Sequence, residues 1–115
     1  MRTGMQVWTY DSALDAHADS WIGYNVHATD GDIGKIDEMS REAGRASIVV
    51  DTGFWIFGKK RLIPAASVRS VDPTNETVSV SLTKEQIKNA PDFDEMRRNE
   101  PDYYDEFGSY YGPYV

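Results

Sequence analysis

The chain has 115 residues, enough for one domain with its own core, and no cysteine, which excludes disulfide bonds and thiol chemistry. With 40% hydrophobic residues it is expected to fold, and its net charge of -7 provides no broad positive field for binding nucleic acid. No window approaches the roughly 18 apolar residues of a membrane-spanning helix, and no apolar signal-peptide core stands near the N-terminus. We therefore expect a cytoplasmic protein that has no membrane partner.

Charge is unevenly spread along the chain. Residues 1–19 carry a net charge of -2, residues 20–90 are neutral with nine basic and nine acidic groups, and residues 91–115 carry -5. This distribution predicts three parts: an N-terminal arm over 1–19, one globular domain over 20–92, and an acidic, tyrosine-rich C-terminal extension over 93–115.

The pattern of residue types changes after the arm. Trp8 and Tyr10 are expected to pack the arm onto the domain, because large aromatic side chains gain most from burial. From Trp21 onward, short apolar runs alternate with frequent turn signals, which is typical of a small all-β domain.

The first two strands are predicted as a hairpin. Tyr24–Ala28 forms the first strand, and Ile33–Arg41 follows a turn at residues 29–32. Strict alternation would place Ile33 and Ile36 on opposite faces of the second strand. A β-bulge at Gly34 would bring both into the core.

Four more strands are predicted from apolar runs bounded by turn residues. The run at Ala46–Asp51 is unbroken, which indicates burial on both faces. Pro64 ends the next strand because it cannot donate a ladder hydrogen bond. The four strands are Ala46–Asp51, Lys60–Ile63, Val68–Val71 and Glu76–Leu82. Six short strands at this spacing predict a mainly β fold in the form of a small barrel that closes its own edges.

The C-terminal part is predicted to contain short helices and an extended tail. Thr83 and Gln86 match a capping box, and Pro91 limits the helix that follows. A second short helix is predicted at Phe93–Asn99. The last fifteen residues hold six aromatic side chains: Tyr103, Tyr104, Phe107, Tyr110, Tyr111 and Tyr114. Such an end is either a free adhesive tail or an arm docked in a groove.

Several of these stretches, in this order, resemble a PRC-barrel domain. They are Trp21–Val26 (WIGYNV), Asp30–Ile36 (DGDIGKI), Ile48–Asp51 (IVVD), Arg61–Pro64 (RLIP) and Val78–Pro91, which ends in LTKEQIKNAP. The resemblance covers roughly residues 20–92. It implies a six-stranded barrel similar to that in the cytoplasmic part of the photosynthetic reaction-centre H subunit, and to the C-terminal domain of a ribosome-maturation factor. Members of the family are mostly adaptor or assembly modules, and the family brings no catalytic motif.

One glycine pattern superficially matches a phosphate-binding loop. Gly53 and Gly58-Lys59 have the spacing of its first glycine and its Gly-Lys pair. The residues between the glycines are bulky, Lys60 stands where a Ser or Thr would ligate Mg²⁺, and a strand ended by Pro64 follows instead of a helix. We therefore predict that the chain binds no nucleotide and no other cofactor.

The apolar stretch between those glycines is the main candidate contact surface. Four consecutive bulky residues cannot all point inward from one strand. They either plug the barrel, or are covered by the tail or a second subunit, or line a groove for another partner or ligand. The predicted interaction residues are Phe54, Trp55, Ile56, Phe57, Tyr103, Tyr104, Phe107, Tyr110 and Tyr111.

Metal ligation and catalysis have weak support. His17 and His27 lack the paired ligands of a structural zinc site, and Asp30 and Asp32 are better explained by turn chemistry than by calcium. Asp51 is the best-placed carboxylate. We expect it to serve as a cap or in a salt bridge with Lys59, Lys60 or Arg61, and a hydrolase built on Asp51 and a histidine is the weaker reading.

The predicted function is therefore that of a non-enzymatic module that acts through protein–protein contact and self-associates as a homodimer. The alternative is an RNA-associated assembly factor similar to the ribosome-maturation relative. That alternative requires one shared basic face formed by Lys59, Lys60, Arg61, Arg69 and Lys84.

Overall fold

The computed structural model describes residues 7–10, 20–42, 45–53, 60–91, 93–94, 96, 100 and 102–115. The fold is mainly β. Its strands are β1 (Asn25–Ala28), β2 (Gly31–Ser40), β3 (Ser47–Asp51), β4 (Lys60–Pro64), β5 (Val68–Asp72) and β6 (Thr77–Val80). Its helices are α1 (Lys84–Lys88) and α2 (Tyr103–Tyr111), with short 3-10 turns at Ala65–Ser67 and Gly112–Tyr114.

All six strands belong to one mixed sheet with the order β4-β3-β2-β1-β6-β5. Strands β1 to β4 form a continuous antiparallel meander, and β5 and β6 form a separate antiparallel hairpin. The two parts join through β1 and β6, which run parallel. The six strands predicted from sequence are thus confirmed.

The connection between the two edge strands requires a strongly coiled sheet. In a flat six-stranded sheet, the outer strands would lie about 24 Å apart at a spacing of about 4.8 Å. Only the turn Ala65–Ser67 separates β4 from β5, and the chain from Pro64 to Val68 can span at most about 14 Å. The sheet must therefore curl until its edges approach. Among the described strands, no ladder pairs β4 with β5, so closure into a barrel stays a prediction.

The predicted bulge in β2 is confirmed. Val26 pairs with Gly34 and His27 pairs with Asp32, so one residue of β2 has no opposite partner at this point. The extra residue lets both Ile33 and Ile36 enter the core. A second irregularity, between Ile36 and Glu38 against β3, was not predicted.

Strand β3 is buried on both faces, as its unbroken apolar run predicted, and so is β4, for which no such prediction was made. Ile48 pairs with Ile63 on one face, and Val49 pairs with Leu62 on the other. All four side chains are buried. Because only one face of the curled sheet can point towards its interior, the other face needs a second layer of cover.

The N-terminal arm supplies part of that layer, and the prediction that Trp8 and Tyr10 pack it onto the domain is confirmed. Both side chains are buried. The Tyr10 hydroxyl lies 3.0 Å from the carbonyl oxygens of both Ser40 and Ser47, and the amide of Ala46 donates to the Trp8 carbonyl oxygen. The arm is thereby fixed beside the ends of β2 and β3.

The C-terminal helices differ in how well sequence predicted them. The capping box of α1 is confirmed, with reciprocal hydrogen bonds between Thr83 and Gln86. The extended form predicted for the tail is wrong, because Tyr103–Tyr111 is helical. Aromatic residues spaced by four positions lie on one face of a helix, and burial of that face stabilises it. Most of the helix predicted at Phe93–Asn99 lies outside the described residues.

Candidate functional site

The inner face of α2 is completely buried against the protein's own chain. Tyr103, Phe107 and Tyr111 are each 0% exposed and belong to the same core as the strands. Their neighbours Tyr104 and Tyr110 are half-buried and pack against that core. Three aromatic side chains of this kind bury about 450–750 Å² in total. We call the surface that receives them the α2 seat: the outer edge of β4, α1 and Trp8.

Hydrogen bonds from tyrosine hydroxyls fix α2 in its seat. Tyr111 donates to the carbonyl oxygen of Leu62 at 2.8 Å, and Tyr110 donates to the carbonyl oxygen of Gln86 in α1. Tyr103 accepts from the amide of Asp94 at 2.8 Å. Burial raises the pKa of Tyr111 far above the usual value, and it also raises the pKa of Tyr110. The hydroxyls of Tyr110 and Tyr111 therefore act as neutral hydrogen-bonding groups at physiological pH.

Close packing between α2 and the arm completes the seat. The rings of Trp8 and Tyr104 meet edge to face, with centroids 5.1 Å apart. The indole nitrogen of Trp8 lies 3.4 Å from the position that a Cβ would take at Gly108. Arg45 places its guanidinium carbon 5.2 Å from the centre of the Tyr104 ring. The glycine thus lets the indole approach the helix closely.

The outer face of α2 is acidic. Asp105 and Glu106 are exposed, as are Asp102 just before the helix and Ser109 within it. These residues lie opposite the three buried aromatic side chains, so the helix is amphipathic.

The base of the β3–β4 hairpin is partly exposed, because Thr52, between Asp51 and Gly53, is only 3% exposed. Asp51 and Lys60 form its last pair, and both Asp51 and Gly53 are exposed. The Asp51 carboxylate accepts from the amide of Gly53 at 3.0 Å, so it acts as a turn cap, one of the two roles predicted for it. Lys60 pairs with Asp37 at 2.7 Å. The predicted contact residues Phe54, Trp55, Ile56 and Phe57, together with Gly58 and Lys59, lie outside the described residues.

The basic residues required by the RNA-associated alternative do not gather on one exposed face. Arg61 is only 4% exposed, and its guanidinium donates to the carbonyl oxygen of Lys88 at 3.2 Å. Arg69, by contrast, is exposed on β5. Arg61 therefore acts as a structural link between β4 and α1 rather than as an RNA contact.

The candidate acid–base residues are also separated. His27 pairs with Asp32 at 2.6 Å, and the register places it two strands away from Asp51, at about 10 Å or more. Asp30 accepts from the amide of Lys84 at 2.8 Å and so supports the start of α1. His17 lies outside the described residues. Over the ranges that the structure describes, no three potential metal ligands form a group.

Sequence reasoning missed two contacts that hold the site together. The cap from Asp30 to Lys84 joins residues 54 positions apart, and the approach of Trp8 to Gly108 joins the two ends of the chain. The spacing of Tyr103, Phe107 and Tyr111 by four residues was a signal for the helix and its buried face.

Two comparisons with known proteins give no match. A scan against protein-family models finds no matching family, and a search of the curated proteins finds no match. In the part of the chain that the structure describes, every helix is too short or too polar to cross a membrane.

Proposed function

We propose that this chain is a non-enzymatic PRC-barrel module that works through protein–protein contact and self-associates as a homodimer. The contact surface in this proposal is centred on Phe54–Phe57, the connection between β3 and β4. A module of this kind holds partners in place and needs no catalytic group of its own.

Support for the barrel comes from the short link between the sheet edges. A coiled sheet whose edge strands are joined by Ala65–Ser67 is what a closed six-stranded barrel of this family requires. The amide of Ser81, just after β6, also donates to the carbonyl oxygen of Ser67 at 2.8 Å. This bond extends the pairing of β5 with β6 by one position into the turn.

The observation that carries the contact surface is the partly exposed base of the β3–β4 hairpin. Asp51 and Gly53 are exposed, while the apolar residues of both strands are buried in the core. Four bulky apolar residues follow directly on this base in the sequence. Exposed apolar groups at the end of a hairpin commonly serve as contact sites between proteins.

Light scattering on the full chain tests the proposal. We expect a mass near twice 13.0 kDa for the wild-type protein, and a shift towards the monomer when Phe54 and Trp55 are both replaced by Ser. Ile22→Ser is the matched control, because Ile22 is an apolar residue that is 57% exposed elsewhere on the surface. A dimer that resists the double substitution, or that dissociates equally with Ile22→Ser, would refute this surface.

A further inference from the structure

We infer that Ser79 is a base-activated serine that accepts an acyl group from activated acyl donors, such as acyl phosphates and thioesters. His27 takes the proton from the Ser79 hydroxyl, and Asp32 holds the imidazole in place. This site lies on the outward face of the sheet, and it is independent of the proposed self-association.

Four polar residues form one row across four adjacent strands. His27 on β1 pairs with Asp32 on β2 and with Ser79 on β6. Ser79 in turn pairs with Ser70 on β5. Directly opposite residues point to the same face of a sheet, and neighbouring strands lie about 4.8 Å apart. Val78, which precedes Ser79 on β6, is buried in the core, so the row lies on the outward face.

An ion pair holds the imidazole within this row. Nδ1 of His27 lies 2.6 Å from Oδ1 of Asp32. A carboxylate at Nδ1 keeps the proton of the neutral ring on that nitrogen and leaves Nε2 as the base. Since the two nitrogens lie on different sides of the ring, Nε2 is turned away from β2, on the side of β1 where β6 and Ser79 lie. The row therefore has the order carboxylate, imidazole, hydroxyl, which is the order that activates a serine.

The openness of the site determines which donors it can use. The side chains of His27 and Asp32 are 40% and 72% exposed, and Ser79 is half-buried. Because β6 lies between β1 and β5, its backbone amides serve the ladders on both sides rather than an oxyanion hole. A general base alone contributes about 10²–10⁴-fold to a rate. Donors with good leaving groups react under such conditions, whereas ordinary esters and amides do not.

The reaction is a simple acyl transfer. The Ser79 oxygen attacks the carbonyl carbon of the donor while Nε2 of His27 takes the hydroxyl proton. The bond between that carbon and the leaving group then breaks, and the phosphate or thiolate departs with the bonding electron pair. The imidazolium returns its proton to the leaving group or to water. The product is an ester on Ser79, and nothing is oxidised or reduced.

Peptide mass spectrometry of the full-length chain tests the inference, after timed incubation with 4-nitrophenyl acetate or with acetyl phosphate. We expect acetylation of Ser79 to be at least tenfold faster than that of Ser70. Ser70 is the matched control, because it lies in the same row but one strand further from the imidazole. This comparison uses the wild-type chain alone and so does not depend on how any variant folds.

Two variants then test the roles of the base and the carboxylate. His27→Ala should lower the acetylation rate of Ser79 to that of Ser70, and Asp32→Asn should lower it several-fold. Acetylation of the lysine side chains in the same samples should stay unchanged, which separates loss of the base from a general change in the protein. Equal rates at Ser79 and Ser70 in the wild-type chain overturn the inference, as does a Ser79 rate that His27→Ala leaves unchanged.

Discussion

The hydroxyl of Tyr111 donates a hydrogen bond to the carbonyl oxygen of Leu62 at 2.8 Å, across 49 positions of the chain. The acceptor lies on β4, an edge strand of the sheet. A helix that is far away in sequence thus satisfies a backbone group on an edge that would otherwise be open. The bond ties the C-terminal helix to the sheet and protects this edge from pairing with other strands.

Tyr111→Phe should lower the free energy of unfolding by about 1–2 kcal/mol, because it keeps the ring but leaves a buried carbonyl without its partner. Urea denaturation followed by circular dichroism measures the change. Tyr114→Phe is the matched control, since that ring is 43% exposed and should cost little. Equal effects of the two substitutions would contradict a specific role for the Tyr111 hydroxyl.

The stability of the protein should fall at alkaline pH partly because of Tyr111. Burial raises the pKa of Tyr111 in the folded state, whereas in the unfolded state it titrates near its ordinary value of 10.0. As the pH rises above 10, the Tyr111 hydroxyl therefore loses its proton in the unfolded chain while it keeps the proton in the folded one. Its contribution to the free energy of unfolding is complete below pH 10 and declines above it by about 1.4 kcal/mol per pH unit. Unfolding free energies from pH 8 to 11 should fall less steeply for Tyr111→Phe than for the wild-type protein. Parallel profiles would count against this prediction.

Gly34→Ala should destabilise the protein by about 3 kcal/mol or more, because a Cβ at this bulge would overlap the carbonyl oxygen of Asp51 and the backbone φ is +143°. Gly53 also has a positive φ, of +63°, but nothing lies within 4 Å of its Cβ position. Gly53→Ala should therefore cost only about 1 kcal/mol, from the backbone conformation alone. Thermal unfolding of the two variants separates the effect of steric overlap from that of backbone strain. Similar losses of stability in the two variants would show that the close approach of Gly34 to the carbonyl oxygen of Asp51 is unimportant.

Thr83→Ala should cost about 1 kcal/mol, because it removes the side chain that accepts from the amide of Gln86 at the start of α1. Thr74→Ala, in an exposed turn, is the control. Asp30→Ala should give a comparable loss, since Asp30 accepts from another amide of the same turn, that of Lys84. Urea denaturation of both single variants and of the double variant would show whether the two caps act independently. If either single variant loses no more unfolding free energy than Thr74→Ala, that residue has no capping role.

Sequence alone predicted the strands well, because their signals are local. The unbroken run at Ile48–Val50 indicated a strand buried on both faces, and the alternation of Val78 and Val80 indicated one with a single core face. The bulge beside Gly34 followed from two isoleucines whose spacing did not fit a regular strand. Each of these depends on a few neighbouring residues.

Sequence was a poorer guide where distant parts of the chain meet. Arg61 stands in a basic run that suggests solvent, yet it is buried because both faces of β4 are covered. The acidic and aromatic composition of the tail concealed a helical period, which is stabilised by packing against the β4 edge, α1 and Trp8. Pairs such as Asp30 and Lys84, or Trp8 and Gly108, have no local pattern that joins them.

The mass of the full-length chain in solution, measured by light scattering over a range of concentrations, tests the central claim most directly. Self-association through Phe54–Phe57 predicts a rise from 13.0 kDa towards twice that value, and a loss of this rise when Phe54 and Trp55 are both replaced by Ser. A mass that stays at 13.0 kDa at every concentration would contradict the account.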